Sequence, residues 1–437
     1  MKIFLPAVAA SVMLTLNGGT DALNVKIPGV NYSPFKAAVT APDSERCKSE
    51  EEVQKNLVAL KEVTDKIRIT SLVECNQADL VLPAAKNAGL RVQVGLRVTK
   101  DPSTFSQEKD KLRSIIEKGL FDDTVIAVCV GSNSIHDGEV TAQTIIDNLL
   151  EIRSYFQSLG KNVSITTADS DITYSKSSVL RTTVDFMSVN FFAIREIGKV
   201  NDAAARTLDR LNIGYSVEPA VEISETGWPS SGSAPNTEIG SLEGQTRFFS
   251  DLYLATQARN VTFYWYTGFD LPRDSNNSTS EFEASFGIFD EDNTMKSNFQ
   301  QLTIYPKEPR VIRSSGGLHL SVDPLLGNIV IMMDMSSNIH QQTWFTDSST
   351  PLVRSLAGRC LTATRDVDGA IVRVAMCDEN DASQLWRFDR ETGWLKHIGY
   401  QNKCLDTDPA QKNKVQIWTC TPNNPNQIWS VLLPYKT

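Results

Sequence analysis

Residues 66–98 read KIRITSLVECNQADLVLPAAKNAGLRVQVGLRV, and this stretch decides the fold class. Two β-rich apolar runs, KIRITSL and RVQVGLRV, flank a segment whose apolar residues recur at spacings of three and four and which ends at a glycine. That spacing is typical of an amphipathic helix, and glycine commonly closes a helix because it adopts the left-handed conformation easily. The stretch therefore predicts a strand, a helix and a second strand in succession.

The same alternation runs from Val25 to about Tyr305. The other β-rich runs are VKIPGV, VIAVCVG, VSITTA, DFMSVN, AVEISE and VTFYWY. Eight strands that each precede a helix, within about 280 residues, are typical of a (β/α)8 TIM barrel. A doubly wound open sheet is the alternative, but the chain has neither a glycine-rich dinucleotide fingerprint nor a P-loop. The fold class is therefore α/β.

The pattern changes after Pro306, where short predicted strands and turns replace the helices. The motif Gln-x-Trp occurs three times in this part, at Gln342 and Trp344, Gln384 and Trp386, and Gln427 and Trp429. The tryptophans are 42 and 43 residues apart, a fixed period that indicates three copies of one supersecondary unit. Each tryptophan is expected to fill a shared core, because a lone hairpin is not stable by itself. The sequence predicts an all-β domain with threefold repetition.

The amino terminus predicts secretion. Residues 1–22 contain Lys2, an apolar run from Ile3 to Leu16 and the small residue Ala22, which is the layout of a secretory signal peptide. A buried amino-terminal helix is the alternative. No later segment reaches the roughly 20 apolar residues of a transmembrane helix. We therefore predict a signal peptide at 1–22, the barrel at 23–306 and the β domain at 307–437, with no membrane partner.

Charge and residue types exclude several function classes. The formal net charge is −9, and no cluster of Lys and Arg offers a surface for nucleic acid. The four histidines, His136, His319, His340 and His397, lack the spacing of metal ligands, so no metal is expected. No Gly-x-Ser-x-Gly motif is present to support a Ser-His-Asp triad. No cofactor is expected, and carboxylate chemistry is what remains.

Seven cysteines fit an oxidising compartment if six of them pair. The expected disulfides are Cys47–Cys75, Cys360–Cys377 and Cys404–Cys420. Cys129 is left over in the apolar run AVCVG, where a small buried hydrophobe is expected. Sequons at Asn162, Asn260, Asn276 and Asn277 are compatible with secretion.

If the first domain is a TIM barrel, its active site lies at the carboxyl ends of the strands. The polar residues predicted there are Asn31, Thr70, Arg97, Asn133, Asp169, Asn190, Glu225 and Tyr266. Glu225 stands out, because AVEISETGWPSSG places it at the end of an apolar run and beside Trp228. A carboxylate nucleophile and an aromatic platform for the ring are what a sugar-cleaving site needs. A surface carboxylate at a strand end is the alternative.

Residues 25–305 resemble glycoside hydrolase family 17, the retaining β-1,3-glucanases of plants, fungi and oomycetes, and resemble oomycete members most. The motifs are GVNYSPF, IRITSLVECNQADLVLPAAKNAGLRV, ISETGWPSSG, FYWYTGFD and FEASFGIFD. The resemblance implies action on β-1,3-glucan outside the cell or in the cell wall. It implies Glu225 as the nucleophile, Glu283 as a further cleft carboxylate, and substrate contacts from Asn31, Asn190, Trp228 and Tyr266. Nothing in the sequence argues for an oligomer, so a monomer is expected.

One position departs from the family. Where the family has Val-Gly-Asn-Glu or Val-Gly-Ser-Glu at the end of the fourth strand, this chain has VGSN, so Asn133 replaces the general acid/base Glu. Retaining hydrolysis uses two carboxyl groups about 5 to 5.5 Å apart, and an amide has no mobile proton to donate. Asp137 and Glu139 follow closely in the sequence and are the candidate substitutes. Thr70, Arg97 and Arg195 also stand where the family commonly has aromatic residues.

The carboxy-terminal part resembles a ricin-B-type β-trefoil lectin domain. That resemblance implies a sugar site in the third repeat, formed by Asp406, Trp418 and Asn424; the second repeat has Thr362 in place of the Asp. A structural remnant is the alternative. Two functions stay open: a secreted endo-acting β-1,3-glucan hydrolase, or a catalytically silent relative that holds wall glucan without cutting it.

Overall fold

The computed structural model describes residues 23–37, 41–196, 200–211, 220–258, 260–272, 280–302, 304, 309–323, 328–335, 339–346, 351–356 and 358–433. The predicted signal peptide, the sequons at Asn276 and Asn277 and the predicted domain boundary at 306/307 lie outside these residues. Within them, no helix is both long and apolar enough to cross a membrane.

The first domain is a closed barrel of eight parallel strands, which confirms the predicted fold class. The strands are β1 Val30–Asn31, β2 Lys66–Arg68, β3 Arg91–Leu96, β4 Val125–Ser132, β5 Ile165–Ser170, β6 Met187–Asn190, β7 Val221–Thr226 and β8 Phe263–Trp265. Val30 pairs with Ile67 of β2 on one side and with Trp265 of β8 on the other, and so closes the barrel. The run VKIPGV forms a shorter strand than its length predicts; it contains Pro28, which has no N–H to donate to a neighbouring strand.

Helices follow the strands and cover the barrel. They are α1 Asp43–Arg46, α2 Glu50–Val63, α3 Gln77–Ala88, α4 Pro102–Glu117, α5 Ala142–Ser158, α6 Asp171–Lys176, α7 Ser178–Thr183, α8 Val200–Leu211, α9 Leu242–Ala258, α10 Glu281–Ala284 and α11 Ser297–Gln300. Their ends follow local sequence signals: Ser49 and Glu52 form a capping box at the start of α2, and Gly89 ends α3 with a φ of 72°.

The barrel interior is polar, unlike the apolar filling typical of this fold. Gln93 and Ser188 are fully buried, and both donate to Glu222 Oε1, over 3.0 Å from Gln93 Nε2 and 2.5 Å from Ser188 Oγ. Burial raises the pKa of Glu222 above its usual range. Arg68 of β2 is 1% exposed and lies in the same interior. The apolar core lies instead between the strands and the helices, where Trp265 and Phe249 meet edge to face.

The second domain consists of three four-stranded sheets. They contain β9 Val311–Ser314, β10 His319–Val322, β11 Val330–Met333 and β20 Trp429–Leu432; β12 Trp344–Thr346, β13 Val353–Ser355, β14 Cys360–Ala363 and β15 Val372–Ala375; and β16 Trp386–Asp389, β17 Trp394–His397, β18 Lys403–Asp408 and β19 Lys414–Thr419. The second and third sheets each follow the chain order strictly, while β20 returns to pair with β9 in the first. The predicted all-β repeat is confirmed.

The three repeat tryptophans fill the core of this domain, as predicted. Trp344, Trp386 and Trp429 are at most 2% exposed and belong to one apolar cluster. Each indole N–H donates to a main-chain oxygen of its own repeat, 2.8 to 2.9 Å away, at Leu320, Leu361 and Leu405. The threefold sequence period therefore corresponds to three equivalent core contacts.

All three predicted disulfides form, at Cys47–Cys75, Cys360–Cys377 and Cys404–Cys420. Cys129 is unpaired and buried, as expected. The two domains meet at α9, where Asp251 Oδ1 accepts from Arg354 Nη1 of β13 over 2.9 Å and its other oxygen accepts from Arg247 Nε over 3.0 Å. The carboxylate of Asp251 thus joins the barrel to the β domain.

Candidate active site

Glu225 lies near the end of β7, at the carboxyl end of the barrel strands, and its side chain is 12% exposed. Its Oε1 accepts from Arg68 Nη1 over 2.7 Å and from Ser132 Oγ over 3.2 Å. Among the described residues, Oε2 has no hydrogen-bond partner. The carboxylate is therefore held by one oxygen, and the other is left for a reacting carbon.

Arg68 is the residue that holds Glu225. Its Nη1 also donates to Asn31 Oδ1 over 2.9 Å, and its Nη2 donates to Ser132 Oγ over 3.1 Å. Asn31 is itself oriented, because its Nδ2 donates to the main-chain oxygen of Ser224 over 2.9 Å. A buried guanidinium is costly unless its donors are paired. These contacts pair Nη1 and Nη2 around Glu225, while Nε has no hydrogen-bond partner among the described residues. Asn31 thus supports Arg68, and its predicted contact with a sugar stays a prediction.

Asn133 is the first residue after β4, which ends at Ser132. Its φ is 55°, a left-handed conformation that asparagine tolerates better than most residues. Its N–H donates to the main-chain oxygen of Ala168 over 2.8 Å, which fixes the backbone against β5. Its side-chain Oδ1 accepts from Asn190 Nδ2 over 2.9 Å. The amide oxygen therefore faces Asn190, and the NH2 group is the donor left to a substrate.

Asn190 connects Asn133 to the rest of the site. Its Oδ1 accepts from Ser224 Oγ over 2.6 Å, so its Nδ2 points toward Asn133 Oδ1 and lies 3.4 Å from Ser132 Oγ. Ser132 in turn contacts Glu225. Asn133 and Glu225 are thus joined through Asn190 and Ser132. One hydrogen-bonded network therefore holds both Glu225, the predicted nucleophile, and Asn133, the predicted acid/base position.

Aromatic rings form one wall beside Glu225. Tyr266, next after β8, packs edge to face on Phe192 and Phe286, with ring centroids 5.4 and 5.8 Å away. Burial raises the pKa of Tyr266, and the nearby charges of Glu225 and Glu283 raise it further. Its hydroxyl therefore stays protonated through the physiological pH range and is available as a hydrogen-bond donor.

Glu283, the predicted further cleft carboxylate, lies on α10 and is paired. Both of its oxygens accept from Arg195, over 2.9 and 2.8 Å, and the Arg195 guanidinium carbon lies 5.3 Å from the centre of the Phe192 ring. This ion pair, which is about half exposed, joins the loop after β6 to the segment after β8 at the cleft rim. Both oxygens of Glu283 are therefore paired with the Arg195 guanidinium in this structure.

Trp228 does not form the exposed platform that its position predicts. Its ring is 1% exposed and packs on Phe248, with centroids 5.5 Å apart. The prediction of substrate stacking by Trp228 is wrong, because the chain turns the ring into the layer between the strands and α9. Thr70 and Arg97 are exposed at the rim, and Arg97 Nη1 donates to Glu74 Oε1 over 3.1 Å.

The acidic residues after Asn133 are held elsewhere. Glu139 Oε2 accepts from the N–H of Lys100 over 3.0 Å, which ties it to the loop after β3. Asp137 is exposed, and its N–H donates to the main-chain oxygen of Asn133 over 2.8 Å. Asp169 is buried and accepts from the N–H groups of Ile135 and His136, over 3.0 and 3.4 Å. Its role is to fix the loop that carries Asn133.

Sequence reasoning missed Arg68 and Ser132, the two residues that contact Glu225. A signal for Arg68 was present, because a charged residue between Ile67 and Ile69 of a buried strand must face the barrel interior. No group of three or more His, Cys, Asp or Glu residues suited to a metal ion occurs in the described part of the chain.

The predicted sugar site of the β domain is only partly open. Trp418 is 41% exposed, but Asp406 is 4% exposed and its Oδ1 accepts from Gln416 Nε2 over 3.0 Å. Burial raises the pKa of Asp406. Asn424 Oδ1 accepts from the N–H of Asn426 over 3.1 Å and so caps a turn. Sugar binding by these three residues stays a prediction.

Comparison with known proteins gives two family matches. The model of the BtgE/BtgC glycoside hydrolase domain matches residues 29–287, and that of the ricin-type beta-trefoil lectin domain matches residues 311–429. The chain is 27% identical to a glucan 1,3-beta-glucosidase of Arthroderma benhamiae, over 60% of this chain and 89% of the relative. It is 25% identical to the glucan 1,3-beta-glucosidase of Saccharomyces cerevisiae, over 57% and 85%.

A solved structure shows the same architecture for the barrel. The glycoside hydrolase family 17 beta-1,3-glucanosyltransferase from Rhizomucor miehei matches with a TM-score of 0.55 and 25% identity, over 64% of this chain and 97% of that one. These relatives are fungal, and the expected likeness to oomycete members stays a prediction.

Proposed function

The chain belongs to the BtgE/BtgC glycoside hydrolase family, and we propose that its barrel binds β-1,3-glucan in a cleft that keeps the nucleophile but lacks the proton donor. The observation that carries this proposal is the pair of positions at β4 and β7. Glu225 is held by Arg68 and Ser132, while Asn133 is held by Asn190 with an amide where the acid belongs. The resulting activity is strong glucan binding with weak hydrolysis.

In the first half of a retaining reaction, Glu225 Oε2 forms a bond to the anomeric carbon and the bond from that carbon to the leaving oxygen breaks. The leaving oxygen of a glucan is an alkoxide unless it receives a proton. Asn133 Nδ2 can donate a hydrogen bond to that oxygen but cannot transfer a proton to it. General acid catalysis is worth about 10² to 10⁴ in rate, so we expect glucan cleavage to be slower by that factor.

A substrate with a good leaving group needs no proton donor. An aryl β-glucoside releases a stabilised phenolate, so Glu225 alone suffices to form the glycosyl-enzyme. Hydrolysis of that intermediate then lacks a general base at Asn133, and a small anionic nucleophile such as azide replaces the activated water. Acceleration by azide is therefore the expected mark of an intact nucleophile beside a missing acid/base group.

Glucan binding without cutting is the second candidate, and the paired state of Glu283 favours it. Because Arg195 occupies both of its oxygens, Glu283 is not a free acid that could move into the role of Asn133. Glu139 is similarly tied to Lys100. In this form the protein is a secreted monomer whose barrel and lectin domain both hold wall polysaccharide.

The experiment compares the parent protein with Asn133→Glu, Glu225→Gln and Glu139→Gln on laminarin and on an aryl β-glucoside with and without azide. We expect Asn133→Glu to raise laminarin hydrolysis at least 100-fold, and Glu225→Gln to abolish all turnover. Glu139→Gln is the matched control, since it removes a nearby carboxylate that the proposal leaves idle. The missing-acid proposal fails if Asn133→Glu leaves laminarin hydrolysis unchanged, or if Glu139→Gln abolishes it.

A further inference from the structure

A second cavity lies at the opposite end of the barrel from Glu225. Its volume is about 430 Å³, and its lining comes from the amino-terminal ends of the strands and the turns before them. Eight polar residues line it: Lys66, Gln93, Ser164, Asp185, Glu222, Asn260, Thr262 and Tyr264. Ligand sites are not usually found at this end of a TIM barrel, where side chains normally close the interior.

Gln93 leaves an unpaired acceptor at this cavity. The residue is fully buried, and its Nε2 donates to Glu222 Oε1, while its Oε1 has no hydrogen-bond partner in the described part of the protein. A buried acceptor without a partner is rare in folded proteins. The Gln93 side chain has no exposed surface, so a ligand could pair with this acceptor only if Gln93 turned toward the cavity.

Two further groups at the cavity lack partners among the described residues. The Lys66 ammonium makes no hydrogen bond or ion pair there, and the hydroxyl of Tyr264 makes no hydrogen bond. Burial and the charge of Arg91 lower the pKa of Lys66. Asp185, in contrast, is fully used: one oxygen accepts from Arg153 over 2.9 Å and the other from the N–H of Ile165 over 2.7 Å.

The charges and the walls restrict the class of occupant. A cation would meet the Lys66 ammonium, while Arg153 balances the charge of Asp185 and burial favours the neutral form of Glu222. The groups that remain are one ammonium donor and one hydroxyl, which a neutral molecule with several hydroxyl groups can pair with. Between them lie apolar surfaces of Ile126 and Phe186. Sugar rings combine hydroxyl edges with apolar C–H faces.

We propose that this basal cavity binds a neutral pyranose sugar. The sugar has two possible sources. It can enter free from solution, or it can be the first residue of an N-glycan on Asn260, which is exposed at the cavity rim and begins the sequon Asn260-Val261-Thr262. The chemistry of recognition is the same in both cases: sugar hydroxyl groups that accept from Lys66 Nζ and form a hydrogen bond with the Tyr264 hydroxyl.

The first arm of the test uses protein made in bacteria, which lacks N-glycans. D-glucose and N-acetylglucosamine are titrated into the parent, Lys66→Met, Ala220→Trp and Trp418→Ala, with binding followed by ligand-detected NMR. Ala220 is exposed at the cavity mouth, so a tryptophan there blocks entry without disturbing the core. The variants are compared with saturating laminarin present to occupy the cleft beside Glu225, and in the Trp418→Ala background, which removes the predicted sugar site of the β domain. Under these conditions we expect binding to weaken at least tenfold in Lys66→Met and to vanish in Ala220→Trp. Arg113→Met, which alters an exposed ion pair on α4, should bind as the background does.

The second arm uses protein secreted from a eukaryotic host, with and without Asn260→Gln. If the Asn260 glycan fills the cavity, the glycosylated protein does not bind free glucose, Asn260→Gln does, and enzymatic removal of the glycan lowers Tm. The proposal is overturned if neither sugar binds the bacterial protein and glycan removal leaves Tm unchanged. It is also overturned if, with laminarin present, the sugar binding is already absent in the Trp418→Ala background or survives Ala220→Trp in it. Neither arm depends on hydrolysis by Glu225.

Discussion

Replacing Arg68 by methionine tests how the candidate nucleophile is held. Arg68 is 1% exposed and donates to Glu225 Oε1 over 2.7 Å, to Asn31 Oδ1 over 2.9 Å and to Ser132 Oγ over 3.1 Å. Methionine keeps most of the side-chain volume but leaves Glu225 without its cationic partner. Removing one member of a buried ion pair costs about 3–5 kcal/mol, because the remaining charge is uncompensated.

The magnitude can be checked by calorimetry. For a domain of this size a loss of 1 kcal/mol lowers Tm by about 2–4 °C, so Arg68→Met should lower the Tm of the barrel by about 6–20 °C. Adding Glu225→Gln removes the stranded charge as well. We therefore expect the double variant to regain part of the loss, with a coupling free energy between the two positions of about 0.5–3 kcal/mol.

Arg113→Met is the matched control in the barrel, because Arg113 pairs with Asp110 over 2.7 Å on the exposed surface of α4. A surface pair contributes about 0–1 kcal/mol, so this variant should barely change Tm. The reasoning about Glu225 is refuted if Arg68→Met unfolds at the Tm of the parent, or if the effects of Arg68→Met and Glu225→Gln simply add.

Three further predictions concern stability. Burial raises the pKa of Glu108 from 4.5 to about 7, so its contribution to the free energy of folding is greatest below pH 4.5 and is lost as pH rises to about 7. Glu108→Gln should therefore remove about 3 kcal/mol of the pH dependence of stability measured by urea titration. An unchanged pH profile would contradict this. Trp429→Ala opens the core of the β domain and leaves the main-chain oxygen of Leu405 without its indole donor. It should lower the free energy of unfolding, measured by chemical denaturation, by about 3–5 kcal/mol. A decrease of less than about 1 kcal/mol would show that the repeats do not share a core. Arg354→Met breaks the contact with Asp251, so the two domains should unfold in two calorimetric transitions where the parent protein shows one. A single unchanged transition would mean that this contact does not couple the unfolding of the domains.

The barrel and the β domain follow from sequence periodicity because periodicity reports which face of each element is buried. Apolar spacing of three and four marks helices that must cover a sheet, and Gln-x-Trp at a fixed period marks equivalent core positions. The orientation of single side chains at loop starts is decided by tertiary packing instead. Trp228 shows this, since the same Gly-Trp-Pro turn is compatible with a ring in the cleft or under α9, and the structure has it under α9 against Phe248.

The parts of the site that sequence reasoning missed had a readable signal. Arg68, Gln93 and Glu222 each stand between two apolar residues of a barrel strand, in the stretches IRI, VQV and VEI. Alternation sends the apolar neighbours toward the helices, so these polar side chains must point into the barrel. Strand alternation alone therefore predicts a polar interior. It does not predict which polar groups contact each other, because that depends on the stagger of the strands around the closed barrel.

This polar interior bears on the proposed loss of the proton donor at Asn133. Burial favours the neutral form of Glu222, so Glu225 is the carboxylate that directly balances Arg68. The position of Glu225 is thus fixed by the need to pair a buried cation, and the protein keeps this arrangement whether or not it cleaves a substrate. An acid at position 133 has no such structural duty, because the backbone of Asn133 is fixed through Ala168 and its side chain is held by one hydrogen bond from Asn190. On the proposed function, an amide at position 133 therefore removes the proton donor while the contacts that hold Glu225, and the fold, stay in place.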